Sequence, residues 1–193
     1  DPGRAADHLE RYLFSFLKTN TSMTTYYYLI HKARLHVLRS EECLAEGNSE
    51  GAIAYLRKAI VLRPGSVDLV VDTMEVLVDA GRVEGAEELF EALESRYRSA
   101  LKLVPNSANE HNNLAWLFAR SDRKLDEALE LASKAVELSP KEHKYLDTLA
   151  EVNFRLENRE KAVEVAKEGL KIAPDDEHLK AQLKRFEREG TKE

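Results

Sequence analysis

The sequence predicts an all-α protein built from repeated helix pairs, and three observations carry that expectation. Strand-like alternation is scarce along the chain, while helix-favouring Ala, Leu, Glu, Lys and Arg dominate. Four of the five prolines, Pro64, Pro105, Pro140 and Pro174, fall at spacings of 41, 35 and 34 residues. Upstream of each, an apolar segment opens on alanine, at Ala52, Ala86, Ala128 and Ala162, with spacings of 34, 42 and 34. Recurrence at this length marks stacked supersecondary units, because one unit cannot bury its apolar face alone.

Composition narrows the function classes. With 43% hydrophobic and 33% charged residues, the 193-residue chain can form a substantial core under a charged surface and is too apolar for a disordered one. A formal net charge of −6 argues against sequence-independent nucleic-acid binding, which needs Lys and Arg to neutralise phosphates. The single cysteine, Cys43, excludes an internal disulfide and a multi-thiolate metal site; it fits a reducing compartment, with the cytoplasm as the default. No apolar run approaches the roughly 18 residues that span a bilayer. Because the chain begins at Asp1 rather than Met, a trimmed or processed fragment is expected, which leaves export open.

Each element has its own signal. Leu9, Tyr12, Leu13, Phe16 and Leu17 form an apolar stripe on an N-terminal helix, and Asn20, Thr21 and Ser22 punctuate the chain after it. A long helix is expected from about Thr24 to Glu46; Tyr26, Tyr27 and Tyr28 point three ways, so they cannot all be core. Gly47 and Gly81 fall where a first helix must stop and turn, and glycine accepts the left-handed backbone such a stop often uses. In the second pair about seven residues, nearly two turns, are inserted before Pro105. Ala86, Phe90, Leu93, Tyr97, Ala100 (or Leu101) and Val104 keep their spacing through it, so one helix is expected over Val83–Leu103. That extension is either a tolerated insertion or a protruding ridge made basic by Arg96, Arg98 and Lys102.

Farther on, Ser107 with Glu110, and Ser139 with Glu142 after Pro140, read as helix starts. Leu114-Ala115 and Leu149-Ala150 are the large-small pairs that let helices approach. Val70, Thr73, Met74 and Leu77 are a looser copy, and His36, Arg39, Ser40 and Cys43 a poor one. Leu179, Gln182 or Leu183, and Phe186 place a polar-faced closing helix within 175–188, and the tail Glu189–Glu193 is expected to be disordered.

This pattern of alanine, a small or apolar residue four positions on, then proline at a 34-residue period resembles the tetratricopeptide repeat (TPR) family, over roughly residues 33–174. The resemblance implies a right-handed α-α superhelix of about four helix pairs, with an N-terminal helix and a C-terminal capping helix. Its expected divisions are 1–22 for the N-terminal helix and linker, 23–174 for the array and 175–193 for cap and tail. Within the array the pairs fall at about 24–65, 66–105, 106–140 and 141–174.

No catalytic constellation is legible. None of the six histidines forms the helical pair of a zinc hydrolase, and no phosphate loop or nucleophile elbow occurs, so neither enzyme activity nor a cofactor or metal is expected. His36 and Cys43, seven apart, lack a third orienting group. The family resemblance implies instead a concave groove, lined by the first helices, that receives a peptide or helical segment of another protein. Projected onto this chain, the groove candidates are Asp68, Asp72, Glu75, Asn109, Asn112, Asn113, Trp116, Lys144, Asp147, Glu151 and Arg155. Arg34, Glu41, Asp79, Arg120 and Thr148 lie on the same projected face. The acidic first half favours a basic partner, while Trp116 is either an exposed anchor or packing between pairs. The second reading is a structural or self-associating segment of a larger protein, a homo-oligomer built through the apolar N-terminal helix and the tyrosines.

Overall fold

A computed structural model of the chain describes residues 1–19 and 25–188, with side chains described over 1–15 and 27–188. The sequence readings at Asn20, Thr21, Ser22 and the tail, and at the Phe16, Leu17 and Tyr26 side chains, lie outside the described residues. Ten α-helices and no strand occur among the described residues. These are α1 (Pro2–Thr19), α2 (Thr25–Ala45), α3 (Ser49–Leu62), α4 (Val67–Asp79) and α5 (Val83–Leu103). They are followed by α6 (Ala108–Arg120), α7 (Leu125–Leu138), α8 (His143–Arg155), α9 (Arg159–Ile172) and α10 (Glu177–Arg188).

Helix lengths repeat. The first helices α4, α6 and α8 each have 13 residues, and the second helices α3, α7 and α9 each have 14. Helix α5, with 21, is longer by the whole insertion, as the unbroken apolar spacing requires. Its stripe is buried at Ala86, Phe90, Leu93 and Tyr97. The expected continuation to Val104 does not hold, because Leu103 and Val104 are 83% and 57% exposed. The Val104 amide closes the helix on the Ala100 carbonyl, and the chain turns away into Pro105.

The turns repeat as faithfully as the helices. Gly47 and Gly81 both have φ +73°, and Asp122 and Glu157 take the same left-handed region at φ 54° and 63°. At each, the next residue's amide reaches back five positions: Asn48 to Cys43, Arg82 to Leu77, Arg123 to Phe118 and Asn158 to Asn153, at 2.8–2.9 Å. These bonds satisfy carbonyls that a helix end leaves open. Glycine adopts this backbone without a Cβ penalty, whereas Asp and Glu carry the strain.

The second turn type surrounds the prolines. Amides of Ser66, Ser107, Glu142 and Asp176, each two residues past a proline, bond three positions back at 3.1–3.2 Å. The same residues precede the next helix; the Ser107, Glu142 and Asp176 side chains accept its first amides. The start expected at Ser139 is corrected here: Ser139 ends α7 by donating its amide to Ala135, and α8 begins four residues later. Ser107 and Glu110 form the expected start of α6.

Residues Asp1–Leu93 and Glu94–Glu193 form two compact units, the division falling within α5. In the first, Ala6, Leu13, Leu35 and Leu38 join α1 to α2, with Leu9 and Tyr28 against them, while Tyr27 is exposed. Arg39 stands at the position that carries Leu114 and Leu149 in later pairs. It donates to Asp7 and Glu10 of α1 at 2.7 and 2.9 Å, and to Glu42 at 2.8 Å. Those three carboxylates hold the guanidinium proton more firmly than usual, Glu42 most strongly. The first repeat thus departs from the pattern where it receives α1. Ala33, Leu56, Ala59 and Leu69 form a second cluster, joining α2, α3 and α4.

In the second unit the core runs from Leu114, Ala115, Leu117 and Phe118 to Leu146, Ala150, Ala162, Val165, Ala166, Leu179 and Phe186. Ala128, Ala135, Ala150 and Ala162 are wholly buried, small side chains where neighbouring helices pack. Burial disfavours a charged Glu94, yet Lys124 and Arg98, at 2.5 and 2.8 Å, keep its proton affinity below normal.

The strained turn gives a direct test. Glu157→Gly removes a left-handed side chain and is expected to stabilise the fold by up to about 1 kcal/mol, while Gly81→Ala costs about as much. Chemical denaturation midpoints of the two variants, moving in opposite directions, check this.

Candidate functional site

In the first unit, the first helices α2 and α4 enclose a cavity of about 340 Å³. Ile30, Ala33, Val37 and Leu69 supply its apolar lining, and Arg34, Arg63, Asp68 and Asp72 its charge. A second cavity of about 230 Å³ shares Ile30, Arg63 and Ser66 with it and adds Leu29, Leu62 and Gly65. Asp68, Asp72 and Glu75 lie exposed along α4, as does Asp79. Arg34 forms a loose, solvent-exposed pair with Glu41 at 3.6 Å. The cavity is therefore mixed in charge where the sequence suggested an acidic face, because the loop before α4 brings in Arg63.

In the second unit the candidate residues divide between α6 and α8. Asn109 and Lys144 are exposed, and Asn112, Asn113 and Trp116 are half-buried. The Arg120 guanidinium lies 5.8 Å from the centre of the half-buried Trp116 ring. The Asn112 Oδ1 is buried with no hydrogen-bond partner among the described residues. Thr148 is buried and donates to the Lys144 carbonyl.

Asp147 and Glu151 behave differently, because α10 lies against them. The Glu151 side chain is 2% exposed, accepts from Arg155 Nε at 2.9 Å and pairs with Arg185 of α10. Arg185 also lies over the stacked rings of Phe154 and Phe186. Asp147 meets His178 of α10 at 3.3 Å, and its other carboxylate oxygen is buried without a partner. Burial, the largest influence, pushes its proton affinity up to about 6 against the pull of His178, with Asp176 and Glu151 adding to the rise.

Sequence reasoning did not single out Arg63, His178 or Arg185. The signal for the last two was present: extending the 34-residue period once past Pro174 aligns His178 with Lys144 and Arg185 with Glu151. The basic ridge on α5 keeps Arg96 and Lys102 exposed, but Arg98 is half-buried, bonded to Glu127 at 2.8 and 2.9 Å and to Glu94. Among the described residues no three His, Cys, Asp or Glu side chains are placed to hold a metal ion. No described helix is long and apolar enough to cross a membrane.

Arg185→Met tests the buried carboxylate. It leaves Glu151 with one cation and is expected to destabilise by about 2 kcal/mol, less than a wholly buried pair because Arg185 reaches solvent. Urea unfolding followed by Trp116 fluorescence reads the loss.

Comparison with known proteins agrees with this architecture. Models of the tetratricopeptide repeat match residues 44–104, 75–143 and 143–176. The chain is 29% identical over 107 residues to Hsp70-Hsp90 organizing protein 1 of Glycine max, covering 53% of this chain and 18% of that protein. This chain thus spans only a small part of that relative's length. Among solved structures, the thermophilic TPR protein TTC0263 of Thermus thermophilus is 17% identical, with a TM-score of 0.50 over 96% of each chain. The Sgt2 TPR domain of Aspergillus fumigatus is 19% identical, with a TM-score of 0.50 over 64% of this chain and 78% of that one. At these identities the solved structures speak to the fold alone.

Proposed function

This chain belongs to the tetratricopeptide repeat family, and from that premise we propose that it is a protein-interaction module whose first-helix faces hold a peptide or helical segment of a partner. The cavity between α2 and α4 is the observation that carries this reading. Its apolar lining suits one aliphatic or aromatic side chain. Asp68 and Asp72 at its edge suit a lysine or arginine beside that side chain, and Arg34 and Arg63 can donate to peptide carbonyls. In the second unit Asn109, Asn112 and Asn113 offer amides to a peptide backbone, and Trp116 offers a flat anchor. Lys144, Asp147, Glu151 and Arg155 complete that face, the last three engaged with one another or with α10. The favoured partner is a segment combining basic and apolar residues; no catalytic role, cofactor or nucleic acid is proposed.

Calorimetry with a short peptide of alternating lysine and leucine tests the reading, with an alternating glutamate and leucine peptide as control. The basic peptide is expected to bind more tightly, and more weakly as salt rises. Asp72→Lys combined with Glu75→Lys is expected to weaken it about tenfold, or about 1.4 kcal/mol. Equal affinity for both peptides, or no effect of the double substitution, overturns the proposal.

The self-associating reading has one observation in its favour. Phe14 of α1 and Tyr27 of α2 are 61% and 59% exposed, aromatic surface that a second copy can cover. Sedimentation at rising concentration decides it: association that Phe14→Ser abolishes supports this reading, and a monomer throughout removes it.

A further inference from the structure

Ionisable side chains carry the contacts between α8 and α10. His178 Nε2 of α10 lies 3.3 Å from Asp147 Oδ2 of α8. His143 Nε2, at the start of α8, lies 3.2 Å from Asp176 Oδ2, on the residue that caps α10. Asp176 also accepts the amides of His178 and Leu179 at 2.9 and 3.1 Å, so one carboxylate both starts α10 and fastens its N-terminus to α8. Farther along, Arg185 of α10 pairs with the buried Glu151, and Lys167 of α9 pairs with Glu187 of α10 at 3.1 Å.

We propose that α10 is a proton-dependent latch on α8: docked firmly in acidic solution, it loosens as the solution approaches neutrality and uncovers the α8 face beneath it.

The groups acting on the Asp147 carboxyl come from each side. His178 belongs to α10 and Asp176 to the turn before it, while His143 and Glu151 belong to α8 itself. Arg155 and Arg185 reach the site through Glu151. Helix α9 meets this region through Ala162, Val165 and Ala166 of the apolar cluster, with Gly169 close to the His143 carbonyl and to Leu179. Helix α6 carries the neutral amides Asn112 and Asn113, and its Glu110 acts on Tyr145.

The sign is set by Asp147. Its proton affinity in the docked state, about 6, exceeds the ordinary 3.8 chiefly through burial. The docked state therefore takes up a proton, and this contribution to docking, complete below 3.8, is lost as pH rises through about 6. Asp176 acts oppositely. The Leu179 amide, foremost, holds its carboxyl below the ordinary value of 3.8, so its contribution is present above 3.8 and is lost only in stronger acid. The window of firm docking lies between these two limits. Release leaves Asp147 and Glu151 open on α8; any consequence for a bound peptide rests on the groove reading, whereas the latch does not.

Amide hydrogen exchange over α10 in the whole chain tests this, with intrinsic exchange rates corrected at each pH. Protection of α10 is expected to be about tenfold higher near pH 5 than near pH 8, within the roughly hundredfold ceiling that a two-unit shift allows. Asp147→Asn should flatten that dependence. His178→Gln, by removing a group that lowers the Asp147 proton affinity, should move the midpoint to higher pH. Flat protection in the unsubstituted protein overturns the latch, as does a pH dependence that survives Asp147→Asn or ignores His178→Gln. Should Asp147→Asn not fold, the unsubstituted profile and His178→Gln still decide. Exchange reads the helix and calorimetry reads the peptide, so failure of the latch and failure of the groove are distinguishable.

Discussion

A helix pair of this kind depends on closing its first helix and starting the second within three or four residues. Only a residue in the left-handed region turns the chain that sharply while satisfying the last helical carbonyls. Gly47, Gly81, Asp122 and Glu157 hold that position in turn, and the same five-back hydrogen bond accompanies each. The geometry is thus more constant than the residue type. Two pairs meet it with glycine and two with strained acids, which shows how strongly the packing on either side demands it. Once the turn is set, the small residues become a requirement. Ala52, Ala128 and Ala162 open the second helices and are wholly buried, because anything larger would hold the two helices apart.

An arginine ties α1 to α2, and another ties α10 to α8. Arg39 of α2 gathers Asp7 and Glu10 from α1, and Arg185 of α10 seeks the buried Glu151 of α8. Apolar burial joins each of these helices to its neighbour but is non-directional. Bidirectional charge contacts add orientation to that contact. The costs differ, however. Arg39 and its partners remain near solvent, whereas Glu151 is removed from water and depends on both Arg155 and Arg185 for its neutralisation. Asp147 beside it meets His178 rather than an arginine, and burial raises its proton affinity against that pull. That contrast between adjacent carboxylates is the basis of the latch proposed for α10.

Much of the fold was legible because its signals are local. Prolines at a near-constant spacing, Gly47 and Gly81 at helix ends and the unbroken stripe from Ala86 to Tyr97 each report on backbone within a few residues. The long α5 was readable for the same reason: an insertion of nearly two turns leaves the apolar face in register. The helix start at Ser139 was misread because its capping pattern, Ser then Glu three residues on, also fits the turn that ends α7. Which use prevails depends on where Pro140 ends the preceding helix, and the proline-centred turn wins at all four equivalent positions.

Periodicity and turn chemistry act along the chain, so the helix pairs, their period and the faces they bury are written in local residue order. The polar residues take their roles from packing instead. Arg63 enters the first cavity, Arg98 turns inward to Glu127, and Asp147 and Glu151 pass from an expected open face to the underside of α10. The physical reason is distance. Burial and charge pairing depend on neighbours 28 to 34 residues away, brought close by stacking, and a side chain's own surroundings in sequence do not record them.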